Sequence, residues 1–89
     1  MTKAINIVFS PVAWNEYLAW QTEDKKTLKR INKLINEIKR KPFEGIGKPE
    51  PLKYNLAGAW SRRIDDQNRL VYLTTESSIK IVQLKYHYD

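Results

Sequence analysis

Residues Pro42 to Leu56 hold three of the chain's four prolines and two of its three glycines, so no long helix or inner strand can pass through them. Proline fixes its own φ and lacks an amide hydrogen, and the residue before it is pushed toward extended geometry. Lys48 and Glu50 each precede a proline, so both are expected to be extended. Glu50 is then a carboxylate on a stiff backbone, with Lys48 and Lys53 close by. Stiff loops that present a charged side chain often carry function. A surface glutamate in a proline-rich connector is the plainer reading of the same residues.

This connector separates a helical first half from a stranded second half, within one domain spanning residues 1–89. Ile5-Asn-Ile-Val-Phe9 reads as a short strand. Ser10 followed by Pro11 is a helix start, with a hydroxyl cap and proline in the first turn. The first helix is expected to end near Trp20 or Gln21, with Trp14, Tyr17 and Leu18 packed in the core or against the second helix. Asp24 caps that second helix, which should run from about Lys25 to Arg40. Its apolar positions Leu28, Ile31, Leu34, Ile35 and Ile38 form one stripe. Opposite lie Lys26, Lys29, Lys33 and Arg40. Between Lys25 and Lys41 there are eight lysines or arginines against one carboxylate, Glu37. Such one-sided charge suits an anionic surface, although a solvated helix face is the ordinary alternative.

Beyond the connector, strands are expected at 59–64, 69–74 and 79–88, joined by polar turns at 65–68 and 75–78. Alternation places Trp60, Arg62 and Ile64 on one face of the first and Ser61 and Arg63 on the other. In the last strand the apolar positions change phase between Ile81 and Val82, which means either a bulge or burial of both faces. The expected fold is α+β: an αα-hairpin packed on a twisted antiparallel sheet.

The chain has 89 residues, no cysteine, one histidine and a formal net charge of +6. Disulfides, a thiol nucleophile and a cysteine or multi-histidine metal site are excluded, so neither metal nor other cofactor is expected. No signal peptide and no apolar run of membrane-spanning length is visible. A cytoplasmic protein without membrane contact is expected, and the positive charge favours an anionic partner.

Arg62, Arg63, Arg69, Lys85 and His87 lie in or beside the strands. Singly, each is most simply a solvent-facing cation. Together with Glu50 they match the needs of RNA cleavage by the neighbouring 2′-OH. That reaction requires a base for the hydroxyl, cations for the charge growing on phosphate, and an acid for the departing 5′-oxygen. Glu50, Arg63 with Arg69, and His87 meet those needs if the fold brings them together.

The run Pro42-Phe-Glu-Gly-Ile-Gly-Lys-Pro-Glu-Pro-Leu-Lys53, then Trp60-Ser-Arg-Arg-Ile64, Arg69-Leu-Val-Tyr72 and Lys85-Tyr-His-Tyr88 resembles the YoeB/Txe toxins of the RelE superfamily. The resemblance spans nearly the whole chain. It implies a microbial-RNase-like fold and a ribosome-dependent endoribonuclease that cuts mRNA in the A site. It implies catalytic roles for Glu50 (base), Arg69 (transition-state charge) and His87 (acid). It also implies substrate-binding roles for Lys53, Arg63 and Tyr88. The implied partners are a YefM-type antitoxin, the ribosome and mRNA, a toxin homodimer, and operator DNA reached only through the antitoxin complex. A catalysis-free toxin on the same scaffold, directed at DNA gyrase, or an inactive antitoxin-binding homologue, is the alternative.

Overall fold

The computed structural model describes residues 4–86. Among these, the elements follow in the order β1 (Asn6–Phe9), α1 (Pro11–Glu23), α2 (Lys25–Arg40), β2 (Glu50–Pro51), β3 (Trp60–Arg63), β4 (Arg69–Thr74) and β5 (Ser78–Gln83). A 3-10 turn at Tyr54–Leu56 precedes β3.

Both helix starts are built as their sequences require. Ser10 is extended, and its hydroxyl oxygen accepts the Ala13 N–H at 3.0 Å while donating to the Val82 carbonyl at 2.7 Å. Asp24 accepts from the amides of Lys26 and Thr27 and from the Thr27 hydroxyl. These bonds satisfy amides that a helix start leaves without partners. α1 continues to Glu23, past its expected end, so Asp24 alone separates the two helices.

The stripe of α2 is the backbone of the core. Ile31, Leu34, Ile35 and Ile38 are buried against Leu70, Tyr72, Ile79, Ile81 and Leu84, each such side chain contributing about 1.5–3 kcal/mol. α1 departs from expectation. Its buried residues are Ala13 and Trp20, whereas Trp14 is 47% and Leu18 42% exposed. Tyr17 does join the helices, donating to Asn32 Oδ1 at 2.8 Å. Trp20 takes the inner place because its indole N–H reaches the Leu84 carbonyl at 3.1 Å.

The sheet order is β1-β5-β4-β3-β2. Strands β3 to β5 form the expected antiparallel meander, and β2, within the connector, adds a short antiparallel strand beside β3. β1 instead lies parallel to β5, which makes the sheet mixed rather than wholly antiparallel. The helical hairpin carries the chain across the sheet before β2, so β1 has no hairpin neighbour, and its partner is the strand most distant in sequence. The phase change in β5 is a bulge: Val71 faces Gln83 and Tyr72 faces Ile81, leaving Val82 as the additional residue. Its carbonyl takes the Ser10 hydroxyl, fastening α1 at that irregularity.

Arg62, expected among the candidate site cations, is fully buried. Its guanidinium donates to the carbonyls of Ile46 (3.1 Å), Glu44 (2.9 Å) and Lys41, and to the Tyr72 hydroxyl (3.3 Å). Tyr72 in turn donates to the Pro42 carbonyl at 2.6 Å. A buried charge is tolerable only with such partners. Here they are main-chain carbonyls of the connector, so Arg62 is a structural staple. Gly47 completes the junction: its carbonyl accepts from Arg63 N–H at 2.7 Å. Lys48 has φ +49° rather than extended geometry. The chain reverses tightly through Gly47 (φ +81°) and Lys48 after touching β3, and this turn overrides the preference set by Pro49. Glu50 is extended, as expected, within β2.

Candidate functional site

Cross-strand register decides which side chains share a face, because paired residues point the same way. Glu50 pairs with Ser61, Ser61 with Val71, Val71 with Gln83, and Arg63 with Arg69. All six therefore lie on the face opposite the helices. The other face carries Leu70 and Tyr72, which pack under α2.

This outer face is hollowed into a groove of about 400 Å³. The sheet contributes Ser61, Arg69, Val71 and Gln83; the connector contributes Leu52, Asn55 and Leu56; the β3–β4 turn contributes Asp66 and Gln67; and Tyr86 closes one side. Beside it, Glu50 Oε1 lies 2.9 Å from Arg69 Nη1, which also donates to the Ser61 hydroxyl at 3.3 Å. The Arg69 and Glu50 side chains remain 40% and 55% exposed, open to a ligand. The hollow thus offers a carboxylate, a guanidinium, a hydroxyl and several amide groups around an apolar floor.

Of the sequence-predicted residues, Glu50 and Arg69 meet directly. Arg63 is exposed and is the cross-strand partner of Arg69. Lys53 is exposed just ahead of the 3-10 turn and does not line the groove. His87 and Tyr88 lie outside the described residues. Lys85 belongs elsewhere: it pairs with Glu23 at 2.6 Å and sits over the Trp20 ring at 5.0 Å.

Sequence reasoning missed Ser61: alternation placed it on one face with Arg63, but its pairing with Glu50 is visible only in the strand register. It also missed what holds the segment after β5. Glu16 Oε1 accepts the N–H groups of Leu84 (2.7 Å) and Lys85 (3.1 Å). Asn68 Oδ1 accepts the N–H of Tyr86 at 2.9 Å. Asn68 is itself fixed by Asp65, whose carboxylate accepts its side-chain amide and the backbone amides of Gln67 and Asn68. Burial pushes the Asp65 carboxyl up, but the hydrogen bonds from Asn68 and Gln67 outweigh it and hold its pKa below the ordinary 3.8.

On the helix side, Lys29, Lys33 and Arg40 with Asn32 and Asn36 surround a shallow hollow of about 480 Å³. Glu37 answers Arg40 at 3.7 Å, leaving that surface cationic. No helix among the described residues is long and apolar enough to cross a membrane.

Residues 9–88 match the YoeB-like toxin family of bacterial type II toxin–antitoxin systems. The Toxin YoeB of Escherichia coli K12 is 51% identical over 84 residues, covering 94% of this chain and all of that one. A YoeB dimer from Staphylococcus aureus superposes with a TM-score of 0.88 at 52% identity, covering 94% of this chain and 98% of that one. The heterotetrameric YoeB–YefM toxin–antitoxin complex from the same organism contains a chain matching at 0.89, with the same identity and coverage.

Proposed function

The chain belongs to the YoeB-like toxin family, and from that membership we propose that it is a ribosome-dependent endoribonuclease which halts translation by cutting mRNA in the A site. The observation that carries the reading is the Glu50–Arg69 pair at 2.9 Å beside an open groove. A general base and a phosphate-binding cation must stand within one nucleotide step of each other, and the 2.9 Å separation supports giving those roles to Glu50 and Arg69.

The pair also suggests how the site is armed. Contact between two exposed charges contributes only about 0–1 kcal/mol. An entering phosphodiester, offering Arg69 two oxygens in fork geometry, displaces the carboxylate at little cost. Glu50 is then free to take the proton of the 2′-OH as that oxygen attacks phosphorus. Arg69 stabilises the charge that develops on the phosphoryl oxygens, and Arg63 and Lys53 bind the substrate's phosphates. His87 donates the proton to the departing 5′-oxygen, and Tyr88 orients the substrate. The products are a 2′,3′-cyclic phosphate and a free 5′-hydroxyl, with protons balanced between base and acid.

The relatives solved as a dimer and with YefM support two further assignments. The chain is captured by a YefM-type antitoxin that covers the groove, and it self-associates. The complex represses its own operon through antitoxin bound to operator DNA. All of this takes place in the cytoplasm.

Primer extension on mRNA in a translating extract tests the reading. New 5′ ends within the A-site codon are expected with wild-type protein, and their loss with Glu50→Ala and His87→Gln. Growth arrest with intact mRNA and inhibited gyrase would overturn the nuclease reading in favour of a binding toxin.

A further inference from the structure

The three residues after β5 have left the sheet, yet the amide of each is bonded to a side chain. On one side, Glu16 of α1 accepts from both Leu84 and Lys85 through a single oxygen. On the other, Asn68 in the β3–β4 turn accepts from Tyr86. The Leu84 carbonyl receives the Trp20 indole, and the Lys85 ammonium reaches Glu23. The segment is therefore held from both sides, and Tyr86 is set against the groove.

A chain end without ladder bonds ordinarily frays. Here charged and amide acceptors replace the missing strand partner. Bonds to a carboxylate are roughly twice as strong as neutral ones, so Glu16 is the stronger half of the grip. Asn68 is the directed half, because its orientation is dictated by Asp65. The residue after Tyr86 is His87, to which the nuclease reading assigns the proton donor.

We infer that Glu16 and Asn68 are positioning residues: together they fix Leu84, Lys85 and Tyr86 beside the groove that holds Arg69, and these are the residues through which the chain reaches His87. This deepens the proposed function and rests on it. A misplacement of about 1 Å in a reacting group costs as much as ~10²-fold in rate. Loosening the grip therefore lowers the maximal rate without weakening RNA binding, which is left to the cations.

The test uses full-length toxin released from its antitoxin, assayed for cleavage on mRNA-programmed ribosomes. Glu16→Ala and Asn68→Ala are each expected to lower the maximal rate by about 10-fold or more, with the half-saturating concentration changed less than about 2-fold. Glu16→Gln keeps an oxygen acceptor and is expected to restore most of the rate. Amide exchange at Leu84 and Lys85 should accelerate in Glu16→Ala, and at Tyr86 in Asn68→Ala, while core amides stay protected.

Unchanged maximal rates in folded alanine variants, or unchanged exchange at these amides, would overturn the inference. So would a Glu16→Gln protein as slow as Glu16→Ala. If Glu16→Ala fails to fold, Asn68→Ala and Glu16→Gln decide. Should wild-type protein leave mRNA intact, the nuclease reading falls by itself, and with it the catalytic purpose of the grip. The exchange data then judge only whether the tail is held.

Discussion

The Glu50 carboxylate and the Arg69 guanidinium meet at 2.9 Å, one from a two-residue edge strand and the other from the start of β4. β3 lies between their strands, and its Ser61 hydroxyl binds the same guanidinium nitrogen. The relationship spans three strands and gives the groove its charge pattern.

Because this pair is half-exposed, it matters for chemistry more than for stability. Glu50→Gln is expected to reduce mRNA cleavage by about 10²-fold or more while moving the thermal midpoint by no more than ~5 °C. Arg69→Lys keeps the charge but loses the planar fork, and a loss of at least ~10-fold in cleavage is expected. Primer extension and thermal melting of the same preparations check both. Undiminished cutting by Glu50→Gln would remove Glu50 as the base.

Arg62 behaves in the opposite way. Replacing it by Met leaves the carbonyls of Lys41, Glu44 and Ile46 without their donor. Unsatisfied buried groups cost about 1–3 kcal/mol each, so the midpoint should fall by more than ~10 °C. Gly47→Ala should also destabilise the junction. Its φ is +81°, and a β-carbon there would stand 2.9 Å from a Leu34 methyl. Thermal melting of both variants provides the measurement, and wild-type midpoints would refute the staple.

Acid should loosen the caps. The Asp24 carboxyl is held below 3.8, first by the Thr27 hydroxyl and then by the Thr27 amide. Asp65 also lies below its ordinary value. A carboxylate with a depressed folded-state pKa stabilises the fold fully above its unfolded value. That stabilisation is lost as pH falls through the folded value. The thermal midpoint should therefore decline below about pH 4. Asp24→Asn, which keeps a capping oxygen but does not titrate, should make the decline shallower; an identical slope would show that Asp24 contributes nothing to it.

The cationic outer face of α2 predicts a salt effect. If Lys29 and Lys33 each neutralise one RNA phosphate, binding to ribosomes should weaken steeply with salt. The double substitution to Gln should reduce the slope of log K against log salt by about 1.4–1.8. Filter binding at several salt concentrations measures it. An unchanged slope would mean these lysines face only solvent.

Much of this was legible beforehand because it is local. Ser10-Pro11 and Asp24 are caps in any context, the α2 stripe has helical spacing, and the phase slip at Ile81-Val82 marks the bulge. The motifs single out Glu50 and Arg69, and the fold brings these two side chains into contact. What escaped depends on which face is covered. Alternation correctly separated Arg62 from Ser61, but not which of the two faces the helices would bury. Trp14 and Leu18 have helical spacing, yet the fold turns Ala13 and Trp20 inward. Lys48 was misjudged because contact between Gly47 and β3 outweighs a preference set by its neighbour. The bonds from Glu16 and Asn68 link segments distant in sequence, and no pattern in the chain announces them.

The position of β5 between β1 and β4 sets an order of events during synthesis. The first strand made can find its neighbour only when the last strand has left the ribosome. Until then the helical hairpin faces half a sheet, and the wall of the groove that carries Gln83 is missing. The groove is thus complete only after β5 has been made, and any ligand or partner that reads its full lining must wait for that strand.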